Sequence, residues 1–240
     1  MVREKVARRP EFREVIYDEK RWQILKQLRE DAILILESLK KQGIYAIVHG
    51  SIARGDVWKG SDIDVFVPYP LPSYRVEIAL ESAGLKIIER YIVIATPSST
   101  PKAYISLDHE EKRVVTFPLL KPKPRELEFY KFGGTLDLNG LLEDKRVPGV
   151  DKRLVLIEPT QSGHRESPVI GREALVARIL GINIDTVLER VRVLTRRDEI
   201  GRTGVFVKYV LRDDESFEEA LINIAKKNPL IRRSLKERTI

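Results

Sequence analysis

His49-Gly50-Ser51-Ile52-Ala53-Arg54-Gly55-Asp56, followed by Ser61-Asp62-Ile63-Asp64-Val65-Phe66-Val67, is the stretch that decides how the chain folds. An apolar run, Ile44 to Val48, ends at the Gly50-Ser51 pair, and ten residues later two aspartates open a second apolar run. Side chains alternate across a strand, so Asp62 and Asp64 project from one face while Ile63 and Val65 face the other. Two carboxylates held together at the edge of an apolar strand call for a cation between them. Magnesium fits, since it takes one or two carboxylates and fills its shell with phosphate oxygens and water; Mn2+ is the alternative ion. Gly50 lets backbone N–H groups approach a phosphate closely. The Ser51 hydroxyl and the start of a short helix after it can hydrogen-bond phosphate oxygens. Arg54, one turn on, brings a planar fork to the same triphosphate. His49 flanks this anchor, with no proton-transfer role assigned. The plainer alternative is a glycine turn between strands with two solvent-facing acids.

Around this stretch, Asp18 reads as the cap of a helix running to about Gln42, with Trp22, Leu25, Leu28, Ile35 and Leu39 at helical spacing and Gly43 as its stop. Pro68, Pro70 and Pro72 end the acidic strand, and Ser73 is positioned to cap a helix to about Ser82. Leu85 to Ala95 reads as a third strand. Ala103 to Leu107 and Arg113 to Leu119 read as a hairpin around Asp108-His109-Glu110-Glu111-Lys112. A helix from Pro124 to Phe132 ends at Gly133-Gly134. Residues 136–171 are the least patterned, with one strand at Arg153 to Ile157. Residues before Tyr17, interrupted by Pro10, read as an irregular lead-in. His109 and His164 are isolated in sequence and read as surface residues; Trp22 and Trp58 read as packing residues.

Gly50-Ser51, ten residues, then Asp62-Ile63-Asp64 with apolar flanks resembles the signature of the DNA polymerase beta-like nucleotidyltransferase superfamily. The specific match covers about Ile44 to Val67. A looser similarity of layout, to about Leu119, links the chain to archaeal CCA-adding enzymes. The resemblance implies an α/β fold, a polymerase beta-like mixed sheet with flanking helices, that binds a nucleoside triphosphate and magnesium. It implies transfer of a nucleoside monophosphate to an acceptor hydroxyl with release of pyrophosphate. Asp62 and Asp64 would be the catalytic metal ligands, and Gly50, Ser51 and Arg54 the nucleotide-binding residues. The family adds a third carboxylate from a later strand. By layout that strand is Arg113 to Pro118, the position falls near Val115, and no acid is there. Asp108, across the hairpin, is the nearest substitute, although with Glu110 and Glu111 it reads more simply as a solvated turn residue.

The second half changes character. Arg172 to Leu180 and Ile184 to Thr195, joined at Gly181, resemble a helix-turn-helix in which Val187 and Val191 pack the second helix on the first. Arg190, Arg192, Arg196, Arg197 and Arg202 follow the second helix, and the run from Gly204 to Leu211 has the look of a wing. A basic tail includes Lys226, Lys227, Arg232, Arg233, Lys236 and Arg238. One reading is a recognition helix with phosphate contacts; the other is a hairpin packed on the catalytic domain, its arginines solvated or paired. The expected division is a nucleotidyltransferase domain over 18–140, a linker or extension over 141–169, and a smaller basic helix-turn-helix-like C-terminal module over 170–240.

Composition agrees with a nucleotide or nucleic-acid partner. Net charge is +7, which favours RNA, DNA or another polyanion. With zero cysteines there is no disulfide, thiolate zinc site or cysteine nucleophile. Apolar residues make up 42% but no run approaches the ~18 residues of a spanning helix, so no membrane partner is expected and the cytoplasm is the expected location. The rival function is a catalytically weak or inactive protein of the same fold that binds nucleic acid or regulates. A third is a helix-turn-helix transcription regulator.

Overall fold

The structure is a computed structural model and describes residues 5–7, 12–201 and 204–236. Pro10, Arg202 and Arg238 lie outside the described residues, as does the side chain of Lys236.

Strand β1 spans Arg13–Ile16. Helix α1, Glu19–Lys41, begins where Asp18 Oδ1 accepts the Arg21 N–H at 2.8 Å. It stops at Gly43, whose φ of 69° is open to a residue without Cβ. Then come β2 (Ile47–His49), the one-turn α2 (Ser51–Arg54) and β3 (Ile63–Phe66). Helix α3, Ser73–Ser82, follows Pro72. Ser73 lies inside that helix rather than capping it, and its hydroxyl donates to Glu218 Oε2 at 2.8 Å. Strands β4 (Glu89–Ile94), β5 (Lys102–Ser106) and β6 (Arg113–Pro118) come next, the last two forming the expected hairpin. Helix α4 (Pro124–Phe132) ends at Gly133-Gly134 and leads to β7 (Thr135–Asp137) and α5 (Leu138–Leu142). The stretch with little pattern holds β8 (Gly149–Val150), β9 (Val155–Thr160) and β10 (Gly163–Pro168). Helices α6 (Glu173–Leu180) and α7 (Ile184–Ile200) meet at Gly181, which is left-handed at φ 61°. Strand β11 (Val207–Val210) precedes α8 (Phe217–Lys227) and α9 (Pro229–Lys236). Ser216 and Glu219 exchange hydrogen bonds as a capping box at the start of α8.

The chain divides into two compact units, each built from three segments. The first comprises Met1–Ile33, Val48–Ile63 and Pro124–Thr203. Its sheet has the order β1-β10-β9-β8, with Arg13 opposite Glu166 and Gly163 opposite Thr160. The region expected as a linker or extension thus folds into strands. Its core gathers Val6, Phe132, Val150, Leu154, Leu156, Val169, Val176, Ala177 and Val187, with Val191 and Leu194 packed against it. Val187 and Val191 do hold α7 to α6, as the pattern predicts.

The second unit comprises Leu34–Ile47, Asp64–Lys123 and Gly204–Ile240. Strands order as β11-β4-β5-β6-β3-β2-β7, the division between units falling within β2 and β3. Strand β11 is not a free wing: it runs antiparallel to β4, with Val207 opposite Ile94 and Val210 opposite Tyr91. It satisfies backbone groups that β4 would otherwise present as an open edge. One face of this sheet carries Ile92, Ala103, Ile105, Val115 and Phe117, each 0% exposed, and Phe117 packs edge-to-face on Phe217 of α8 at 5.5 Å. No helix among the described residues is long and apolar enough to cross a membrane.

Candidate active site

The Gly50-Ser51 turn belongs to the first unit. Gly50 sits at φ 83°, ψ −144°, a conformation in which a side chain is strained, and this admits α2 directly after β2. The Gly50 carbonyl accepts the N–H groups of Ala53 and Arg54, each at 3.1 Å, and Ser51 O accepts the Gly55 N–H. The Gly50 N–H is spent on Gly134 O at 3.0 Å. Ser51 and Ile52 occupy the start of α2, where N–H groups have no partner within the helix.

Arg54 is 6% exposed and its donors point inward. Nε and Nη2 bond Asp56 Oδ1 and Oδ2 at 3.0 and 2.9 Å. Nη1 donates to Gly133 O at 2.7 Å and to Val150 O at 3.4 Å. The fork expected at the triphosphate is therefore filled by a carboxylate and two carbonyls, and it ties the turn to its support. Arg29 does the same from α1: it donates to Ile52 O at 3.0 Å and to Lys145 O at 2.7 Å, and burial lowers its pKa to about 10. Val147 N–H adds a bond to Ala53 O at 3.1 Å.

Gly133-Gly134 forms the floor of this turn. A Cβ on Gly133 would stand 3.9 Å from both Gly50 N and His49 Nδ1. A Cβ on Gly149 would meet the Gly133 carbonyl at 2.6 Å, so β8 and the glycine pair touch backbone to backbone. Sequence reasoning took Gly133-Gly134 only as a helix stop. Two glycines in a row, where one ends a helix, were the available signal of a close approach.

Asp62 precedes β3 and is exposed; Asp64 is the second residue of β3 and is partly buried. Their alternation with the buried Ile63 and Val65 puts both carboxylates on one face. Asp64 makes itself felt on Tyr104 of β5. Burial, and then the Asp64 charge, push the Tyr104 hydroxyl up to about 12. Tyr104 pairs with Thr116 of β6, and Lys102 lies on the same face, 5.8 Å from the Phe66 ring. Val115 pairs with Ile105 on the opposite, apolar face and is 0% exposed. The third-acid position expected near Val115 is thus misplaced by one residue: Val114 and Thr116 share the face of Tyr104. Neither is acidic. Among the described residues no group of three His, Cys, Asp or Glu side chains is placed to hold a metal ion.

Asp108 is committed to its own turn. Its Oδ1 accepts N–H groups of Glu110 and Lys112, and its Oδ2 those of Arg113 N and Nε at 2.9 and 3.2 Å. Burial opposes the charge, but these hydrogen bonds outweigh it and hold the carboxyl below its ordinary value.

His164 is not a surface residue. It is 2% exposed, with Nδ1 2.7 Å from the Tyr17 hydroxyl and Nε2 3.5 Å from Glu166. Burial lowers its pKa, although Glu166 and Asp56 pull the other way. Arg146 lies over both Tyr17 and Trp22, so Trp22 is a packing residue as expected; Trp58 is 54% exposed.

Residues 23–117, from α1 into β6, match the family model described as a nucleotidyltransferase domain. This stretch is a nucleotidyltransferase domain of the polymerase beta-like superfamily. Domains of this class act on nucleoside triphosphates and use divalent metals such as magnesium. No curated protein matches the chain. Gly133, Gly134 and Val150, which support the anchor turn, all lie beyond the matched stretch.

Proposed function

We propose that this protein transfers a nucleoside monophosphate from a nucleoside triphosphate to an acceptor hydroxyl on nucleic acid, releasing pyrophosphate. The observation that carries the reading is the pairing of two features in a nucleotidyltransferase domain: a Gly50-Ser51 turn held rigid from below, and Asp62 and Asp64 on one strand face. Ser51 and the first N–H groups of α2 bind the triphosphate. Asp62 and Asp64 hold the divalent ions; two carboxylates suit magnesium, whose remaining sites are taken by phosphate oxygens and water. Such ions neutralise charge on the reacting phosphoryl group and clamp an in-line displacement. Arg54 supports the site by fixing the turn, and Tyr104 lines the face beside Asp64. The net charge of +7 supports a nucleic-acid acceptor and a basic C-terminal module over 170–240 that contributes to its binding. The cytoplasm remains the expected location.

A second reading follows from one observation, that β6 brings no acid to the face of Asp64 and that Asp108 is held in its turn. On it the protein keeps the fold, has little or no transferase activity, and acts by binding nucleic acid. Labelled triphosphates with magnesium or manganese separate the two. Incorporation that vanishes in Asp62→Ala and Asp64→Ala supports transfer. No incorporation into any acceptor pool, with nucleic-acid binding indifferent to both substitutions, leaves the binding protein.

A further inference from the structure

Helices α4 and α7 of the first unit hold a charge that nothing around it balances. The Arg190 guanidinium carbon lies 4.7 Å from the centroid of the Phe129 ring. That ring is 6.4 Å from the His49 imidazole, and Tyr130 is 4.8 Å from it. His49 is the residue before Gly50-Ser51. Arg190 Nε is buried and has no hydrogen-bond partner among the described residues. Burial, and then the neighbouring charge of Arg197, push its pKa down to about 10, with Glu189 opposing.

The carboxylates nearby are occupied. Arg125 of α4 engages Asp185 at 3.6 Å and Glu189 at 3.2 Å. Glu128 accepts from the Thr186 hydroxyl and from Asn183 N. A desolvated guanidinium is unfavourable unless an anion shares its site. A structural role alone would be served better by an apolar side chain of the same volume. The ring beneath it fixes the plane of the fork, which suits two phosphate oxygens.

We propose that Arg190 binds the polyphosphate of the nucleoside triphosphate, from a helix outside the stretch that defines the family. The inference rests on the nucleotide reading above. Phosphates of a nucleic-acid backbone offer the same chemistry, but the path from Arg190 through Phe129 to His49 leads to the anchor turn.

The test is calorimetric titration of the full chain with sodium tripolyphosphate, without metal and at low salt, beside a titration with a single-stranded oligonucleotide. Arg190→Met is expected to weaken tripolyphosphate binding by roughly tenfold or more, the usual consequence of losing charge-assisted contacts. It is also expected to melt no lower than the parent protein, since an unbalanced buried charge has been removed. Arg190→Lys, which keeps the charge without the fork, is expected to bind between the two. Tripolyphosphate binding by Arg190→Met or Arg190→Lys equal to the parent's overturns the proposal. So does a loss confined to the oligonucleotide, or a parent protein that binds no tripolyphosphate. Because no transfer is measured, the outcome is separate from that of the activity assay. Binding that depends on Arg190 in a protein without transferase activity upholds this inference and rejects the transferase reading. Transfer with unaltered Arg190→Met binding does the reverse.

Discussion

Arg54 and Asp56 face each other as a two-pronged ion pair, Nε to Oδ1 at 3.0 Å and Nη2 to Oδ2 at 2.9 Å, with side chains only 7% and 11% exposed. The remaining nitrogen reaches the Gly133 carbonyl. Removing one member of such a pair leaves a buried charge without compensation, at a cost of about 3–5 kcal/mol. Arg54→Ala is expected to lose that much in urea unfolding. Arg54→Lys is expected to fall between, because a single ammonium cannot replace both prongs. An Arg54→Ala protein as stable as the parent would show that the pair does not hold the turn.

Gly149→Ala tests the floor of the turn. Its new methyl would meet the Gly133 carbonyl at 2.6 Å, where backbone has little room to yield. A cost of about 1–3 kcal/mol is expected from overpacking. Gly171→Ala is the comparison: it has open space around it, but its φ of 82° strains a side chain. Weaker triphosphate binding in Gly149→Ala, with Gly171→Ala binding normally, would locate the effect at the turn. Equal binding in both would remove the floor from the account of nucleotide affinity.

His164 predicts a slope in stability with pH. Its folded pKa lies below the ordinary 6.5, so the unfolded chain takes up a proton that the folded chain resists. The neutral imidazole's contribution is complete above about pH 6.5 and is lost as pH falls from there towards the folded value. Urea midpoints between pH 7.5 and 5 should decline for the parent and decline less for His164→Gln. Parallel curves would exclude His164 as the source.

Asp108→Asn should separate turn from site. The amide keeps fewer of the four hydrogen bonds that Oδ1 and Oδ2 accept. A loss of about 1–2 kcal/mol is expected in chemical unfolding. Because the folded pKa lies below the ordinary 3.8, the carboxylate's contribution is present above that value and is lost as pH falls through the folded one. Nucleotide incorporation should stay within about twofold of the parent, well under the tenfold that 1.4 kcal/mol at the barrier would produce. Abolished incorporation in a folded Asp108→Asn protein would restore Asp108 as the missing acid.

Short-range chemistry was the legible part of the chain. Asp18 capping α1, Ser216 with Glu219 at α8, Gly43 and Gly181 as stops, and the alternation through Asp62 and Asp64 all depend on residues within a turn or a strand of one another. What escaped depends on partners far away. Strand β1 is too short and mixed to announce itself, and it pairs with β10 some 150 residues later. His164 is buried because Tyr17 comes to it from 147 positions away. Arg54 has the spacing of a phosphate ligand, and only the arrival of Gly133 and Val150, 79 and 96 positions on, turns its fork inward. Val115 shows a subtler limit. The correct strand was identified, but facing is decided by register, and a shift of one residue exchanges core for site.

The glycine pair beneath the anchor turn separates two boundaries that are usually drawn as one. Kinship, measured by the matching stretch, stops at residue 117. The masonry under Gly50 is laid by Gly133, Gly134 and Val150. A fragment trimmed to the recognisable stretch would therefore retain every signature residue and lose the base on which Gly50 rests.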